Sequence, residues 1–299
     1  MFRYSFARAL QQKFYPNYSI DINCYYFSHA GEEAKLPYLK NYLPDFCINN
    51  VTYSEVRPYK LKNFTQLCVA VVNRCILKKI RNIRPDFNTK FLQPFYNFFG
   101  IYTPSGFSVY VEPRFSRSRN IFCNSFFEHA GYFDGIRNIL LEDFTPRHDV
   151  LPCNTDMIRE IQTSESVCVT IRRGDFLNLA HFNVCNEEYF ITAMKAMREE
   201  LPDCKFFVFS DDVDDVKKNM HFPFDVTYER GDAPVWEKLR LMYSCKHFII
   251  SNSTFSWWAQ YLSRNPNKIV YAPTPWHWSG EKWEGLYLPY MRTIECHKN

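Results

Sequence analysis

Apolar and polar positions are patterned differently in the two halves of the chain. From residue 167 onward, short apolar runs and amphipathic stretches follow one another with brief links. The pattern predicts strands at 167–172, 205–209 (KFFVF), 225–228, 247–251 (HFIIS) and 268–272 (KIVYA), and helices at 186–200, 212–219, 235–244 and 254–264. Strand and helix in strict alternation predict an α/β fold built on a parallel, doubly wound sheet. Residues 1–150 are less regular. They suggest a helix at 4–13, another at 68–83, and strands at 107–112 and 120–127, with Pro94, Pro104 and Pro113 breaking an aromatic-rich stretch. Pro146 and Pro152 interrupt the pattern, so a boundary within 145–165 is expected, giving domains 1–150 and 151–299. No internal repeat or low-complexity segment is visible.

Three of the predicted strands end in polar groups. Arg172-Arg173-Gly174-Asp175 follows the first, Ser210-Asp211-Asp212 the second, and Ser251-Asn252-Ser253-Thr254 the fourth. In a parallel sheet these ends share one edge, where such sheets bind ligands. Guanidinium groups match phosphate oxygens with forked, charge-assisted hydrogen bonds. Ser253 and Thr254 open a helix whose free N–H groups and dipole favour an anion. Each feature has a plainer reading: two solvated arginines in a turn, an ordinary Ser/Thr cap, and acidic residues in a first helical turn. Their convergence on one edge favours a phosphorylated ligand.

Composition narrows the field. The 299 residues are 46% hydrophobic and 23% charged, as in a packed globular protein. A net charge of +4 is too small to argue for nucleic acid. Aromatic residues reach 18%, which suits a core and also sugar-binding faces. The 11 cysteines include no CxxC and no zinc-type spacing, so reduced thiols in a cytoplasmic protein are expected. No stretch has the length and apolarity of a transmembrane helix, and the first residues lack the apolar run of a signal peptide. In that setting the sequons at Asn17, Asn50, Asn63 and Asn252 carry no meaning. The sequence also lacks GxGxxG, GxxxxGK[ST] and GxSxG, which argues against a dinucleotide enzyme, a P-loop nucleotidase and a serine hydrolase.

The order IRRGDF, FNVCNEEYF, FFVFSDD, EKLRLMYSCKHFIISNSTFSWWAQYL and KIVYAP resembles the α-1,2-fucosyltransferases, whose motifs read HxRRGDY, FFVFSDD and LMSxCKHxIIxNSSFSWWGAWL. Earlier in the chain, FARAL and AGYFD match more loosely. The resemblance implies a GT-B-like fold of two Rossmann-like lobes facing a cleft, with an acceptor-side lobe first and a donor lobe second. It implies GDP-fucose as donor, a glycan ending in β-galactose as acceptor, inverting transfer, and neither cofactor nor metal. Residue by residue, Arg172 and Arg173 would bind the diphosphate, and Asp211 would contact guanine beside Asp212. Ser253, Thr254 and Ser256 would line the phosphate side, with Gly174, Ser210 and Asn252 also in the donor site. The catalytic candidates are Arg172, Arg173 and Asp175. The last would be either the base or an ion-pair partner of an arginine, and the ion pair is the stronger reading. Glu128, His129 and Asp134 are weaker candidates for the base. A lipid-linked acceptor would allow peripheral association with a membrane.

Departures from the family pattern bear on these expectations. The family's His before RRGD is Thr170 here, and WWGAW is replaced by Trp257-Trp258-Ala259-Gln260-Tyr261. Met1 aligns inside the family's MFQYAFARAL, so the strand and GGLGNQ loop that precede it in relatives have no counterpart in the sequence. On that ground little transferase activity is expected of the 299 residues, while the GDP-binding lobe still folds. The alternatives are an inactive GDP-binding remnant and a glycan-binding partner protein.

Overall fold

A computed structural model describes residues 1–24, 40–55, 93–98, 100–104, 108–115, 121–280 and 283–297. The chain divides into two compact units, Met1–Leu43 with Ile48–Arg137, and Pro44–Cys47 with Asn138–Asn299.

In the first unit, α1 (Phe2–Phe14) turns Phe2, Phe6 and Leu10 inward. That spacing makes one apolar stripe. Phe6 lies parallel to Phe127 at 4.1 Å between ring centroids and meets Tyr132 edge-on at 5.1 Å. Strands β1 (Ile20–Asn23) and β2 (Val51–Ser54) pair in parallel. Helix α2 (Gln93–Phe98) precedes β3 (Ile101–Tyr102), which pairs in parallel with β4 (Phe122–Cys123).

Two expectations are corrected here. Residues 108–112 are not a strand. Tyr132 Oη donates to Val109 O at 2.9 Å and accepts from Val111 N–H at 3.1 Å, and Tyr102 Oη donates to Val111 O. Side-chain hydroxyls thus satisfy backbone groups that a neighbouring strand would otherwise bond. Of the strand expected at 120–127, only Phe122–Cys123 forms, and Phe127 takes a left-handed φ of 57° with its ring stacked on Phe6. The helix expected at 68–83 lies outside the described residues.

The second unit carries α3 (Arg137–Asp143, which begins at the division), α4 (Thr155–Thr163), β5 (Ser166–Ile171), α5 (Glu187–Glu200), β6 (Lys205–Ser210), α6 (Val213–Asn219), β7 (Val226–Tyr228), α7 (Val235–Ser244), β8 (His247–Ile249), α8 (Thr254–Leu262), β9 (Val270–Thr274) and β10 (Met291–Glu295). The six strands form one parallel sheet in the order β10-β9-β8-β5-β6-β7. All residues of β5 are buried, as a central strand requires. Val167, Val169 and Ile171 pack with Tyr189, Phe190, Ala193, Met194 and Met197 of α5. Each Val, Ile, Phe or Met among them contributes about 1.5–3 kcal/mol on full burial. The helix starts obey local rules: Asn186 Oδ1 caps α5 at Tyr189 N–H, and Asp212 Oδ1 caps α6 at Asp215 N–H. Among the described residues no helix is long and apolar enough to cross a membrane.

Glu128, in the first unit, offers a test of this packing. Its Oε2 is buried without a hydrogen-bond partner among the described residues. Burial pushes its carboxyl from the ordinary range up to about 7, with the Arg3 guanidinium pulling the other way. A raised carboxyl pKa means that the folded state holds a proton the unfolded state has already released. The group therefore costs nothing below its unfolded pKa and progressively destabilises the fold as pH rises to about 7, with a plateau above. Glu128→Gln is expected to be the more stable protein at pH 8, by about 3 kcal/mol at most, and to match wild type near pH 4.5. Urea unfolding of both proteins across this range checks it; a difference independent of pH would refute the assignment.

Candidate functional site at the carboxyl edge of the sheet

The strand order fixes where a ligand can enter. The connections from β5 lead to β6 and β7 on one side, and the chain then returns to β8, on the other side of β5. Between β5 and β8 the winding reverses, and the crevice outside such a switch point is where open α/β sheets take ligands. Arg172 and Arg173 follow β5 at this point. Ser251, Asn252 and Ser253 follow β8 and lead into α8. Thr170 Oγ1 accepts Ser251 N–H at 3.1 Å, which joins the two strand ends beyond their last paired residues, Val169 and Ile249. Thr170 therefore has a scaffold role at the position where the family has histidine.

The arginine turn is held by carboxylates. Asp211 Oδ1 accepts Arg173 N–H at 2.8 Å, and its Oδ2 lies 3.1 Å from Arg172 Nη1. Asp175 Oδ1 accepts from Arg172 Nη2 at 2.8 Å, so the ion pair is formed. The guanidinium of Arg172 also lies 5.2 Å from the Phe176 ring centroid. Arg173 Nε donates to Asp215 Oδ2, and this bond holds the Asp215 carboxyl below the usual carboxylate range. Gly174 is what lets Asp211 approach: a Cβ at 174 would overlap Asp211 Oδ2.

The remaining predicted residues lie around this cluster. Ser210 Oγ accepts Asp212 N–H at 3.0 Å, and Ser210 O accepts from Lys238 Nζ at 2.9 Å. Lys238 Nζ also lies 3.2 Å from Oε2 of the fully buried Glu229. Ser253 Oγ accepts Phe255 N–H at 3.3 Å as the cap of α8, and Thr254 is the first residue of that helix. Two side chains are engaged in the scaffold. Asn252 Nδ2 donates to Phe182 O at 2.9 Å and Trp276 O at 3.0 Å, and Ser256 Oγ is 3.1 Å from Ser251 Oγ and buried. Sequence reasoning missed Asp215, Lys238 and Glu229. Among the described residues no group of three or more His, Cys, Asp and Glu side chains is placed to hold a metal ion.

A family model described as Glycosyl transferase family 11 matches residues 75–285. The chain belongs to glycosyl transferase family 11. It is 35% identical over 162 residues to an alpha-1,2-colitosyltransferase of Escherichia coli, covering 50% of this chain and 54% of that protein. It is 26% identical over 294 residues to the O-antigen biosynthesis glycosyltransferase WbnK of Escherichia coli, covering 92% and 90%. A galactoside 2-alpha-L-fucosyltransferase of Caenorhabditis elegans is 26% identical over 155 residues, covering 49% and 43%. The chain thus spans about half the length of the colitosyltransferase and less of the nematode protein. No solved structure matches. The family match includes the whole run from β5 through α8, so the arginine turn and the switch-point loop both belong to the family's own segment.

Gly174 gives the prediction for this geometry. Gly174→Ala should displace Asp211 and break its bonds to the arginine turn, costing about 1–3 kcal/mol of folding stability. Chemical denaturation measures it, with Gly135→Ala as control, since nothing lies within 4 Å of a Cβ there. Equal stability of the two variants would mean that Asp211 adapts without loss.

Proposed function

We propose that the chain is an α-1,2-fucosyltransferase that takes fucose from GDP-fucose and transfers it with inversion to a galactoside. The observation that carries this reading is the pair Arg172 and Arg173 at the switch point, next to the loop that opens α8. Family membership and the fucosyltransferase relative support it.

The chemistry follows from charge. As the bond from the sugar to the diphosphate breaks, negative charge grows on GDP, and an arginine fork with helix N–H groups stabilises that growth. Asp175 is assigned to holding Arg172 and is not asked to be the base. Ser253 and Thr254 supply the start of α8 on the phosphate side. Asn252 and Ser256 act by shaping the loop. A second reading, transfer of colitose, is favoured by the 35% identity to the colitosyltransferase.

Calorimetric titration with GDP tests the reading. Wild type is expected to bind, and Arg173→Ala to lose about 100-fold in affinity or turnover, with Arg173→Lys restoring only part because a point charge cannot fork. Binding should persist in excess EDTA. Absence of GDP binding by wild type would refute the donor assignment, and turnover with a colitose donor in place of GDP-fucose would select the second reading.

A further inference from the structure

The two arginines are not equivalent. Arg172 spends both terminal nitrogens on protein carboxylates, Nη1 on Asp211 and Nη2 on Asp175. Arg173 spends only Nε, on Asp215, and among the described residues its Nη1 and Nη2 make no hydrogen bond. Its side chain is 19% exposed and that of Asp215 23%, so the pair is shielded but reachable. Asp215 is itself fixed from two further directions. Its N–H donates to Asp212 Oδ1 at 3.0 Å, and its Oδ1 accepts from Asn219 Nδ2 at 2.7 Å.

We infer that Asp215 is the positioning residue of Arg173, holding Nε from the first turn of α6 so that both Nη groups are left to take the phosphate oxygens of a nucleoside diphosphate. The inference rests on the donor reading above and deepens it. A guanidinium gripped at Nε cannot rotate about its long stem, so its remaining fork is aimed before a ligand arrives. Asp215 would touch no substrate and would act only through Arg173. Arg172, paired at both terminal nitrogens, meets a ligand only by sharing or releasing its carboxylates. The depressed carboxyl of Asp215 fits a group that stays ionised over the working range.

Epistasis provides the test. GDP affinity and, with donor, KM and kcat are compared for wild type, Asp215→Ala, Asp215→Asn, Arg173→Ala and the double variant Asp215→Ala with Arg173→Ala. Asp214→Asn, one residue away and exposed, controls for lost charge. Asp215→Ala is expected to weaken GDP binding about 10- to 100-fold, the scale of a misplaced positioning contact, with its melting temperature close to that of the control. Asp215→Asn should recover part of the affinity, because an amide oxygen can still accept from Nε. In the Arg173→Ala background, loss of Asp215 should have no further effect. If wild type binds GDP and Asp215→Ala behaves as Asp214→Asn, or if its effect adds in full to that of Arg173→Ala, the positioning role is wrong while the donor reading stands. If wild type does not bind GDP at all, both are wrong.

Discussion

Two guanidiniums on consecutive residues repel each other, and the fold must neutralise them before any ligand is present. The contact that makes this work is Asp211 against Gly174. Only a residue without a Cβ lets the carboxylate sit close enough to accept Arg173 N–H with one oxygen and meet Arg172 with the other. Asp175 adds a second carboxylate at Arg172 and Asp215 one at the Arg173 side chain, so three carboxylates surround the two guanidiniums. The arginine turn is thus organised by its own protein, so a bound anion would meet donors that need little rearrangement. The same arrangement imposes a selection on the ligand, which must add to or displace the carboxylates at Arg172 but can join Arg173 without competition.

That turn is useful only because the sheet places it at a reversal of winding. β5 lies between β6 and β8, and its alternate residues are committed to opposite faces, Val167, Val169 and Ile171 toward α5. A slip of one residue in register would turn Thr170 into the α5 core and drag the arginines off the edge. Thr170 guards against this from the other face by accepting Ser251 N–H, which locks the ends of β5 and β8 to each other. Tyr189 adds a second lock, donating to Ile250 O at 2.6 Å beyond the last residue of β8. Polar groups buried at a switch point are costly unless paired, and here each pairing also sets the geometry of the crevice.

The second unit was largely legible in the sequence because its inner strands β5, β6, β8 and β9 are almost wholly buried and its helices have one apolar face. The run Val167 to Ile171 could hardly be read otherwise. Two elements went unread, α4 (Thr155–Thr163) inside the expected boundary and the partly exposed edge strand β10 (Met291–Glu295); the other differences are at ends: β8 stops at Ile249 where HFIIS suggested 251, and β9 runs Val270–Thr274 where KIVYA suggested 268–272. The α6 helix begins one residue later than expected, because Asp212 is its cap. In the first unit the segment 108–112 resisted because its backbone is satisfied by side chains. No periodicity in 107–112 announces that tyrosine hydroxyls from positions 102 and 132 will bond Val109 and Val111. The arginines of the site stood out by type and position. Asp215 did not, since an acid in a first helical turn needs no partner to be explained, and only the folded distance to Arg173 gives it one.

The motif-bearing loop after β8 divides in the same way between chemistry and shape. In Asn252-Ser253-Thr254-Phe255-Ser256-Trp257, most polar groups point back into the protein. The Asn252 amide ties the loops at Phe182 and Trp276, Ser256 bonds Ser251, and Trp257 Nε1 donates to Leu286 O at 2.7 Å. A segment can therefore look rich in ligand-binding types while using those types to fix its own path. What it offers to an anion is the backbone at the start of α8, set by Ser253 as cap. On this reading the recognisable side chains of the loop hold the N–H groups in place, and the charge that meets a diphosphate comes from across the crevice. In this chain the segment is then constrained as a unit, Thr170 fitted to Ser251 and Gly174 to Asp211.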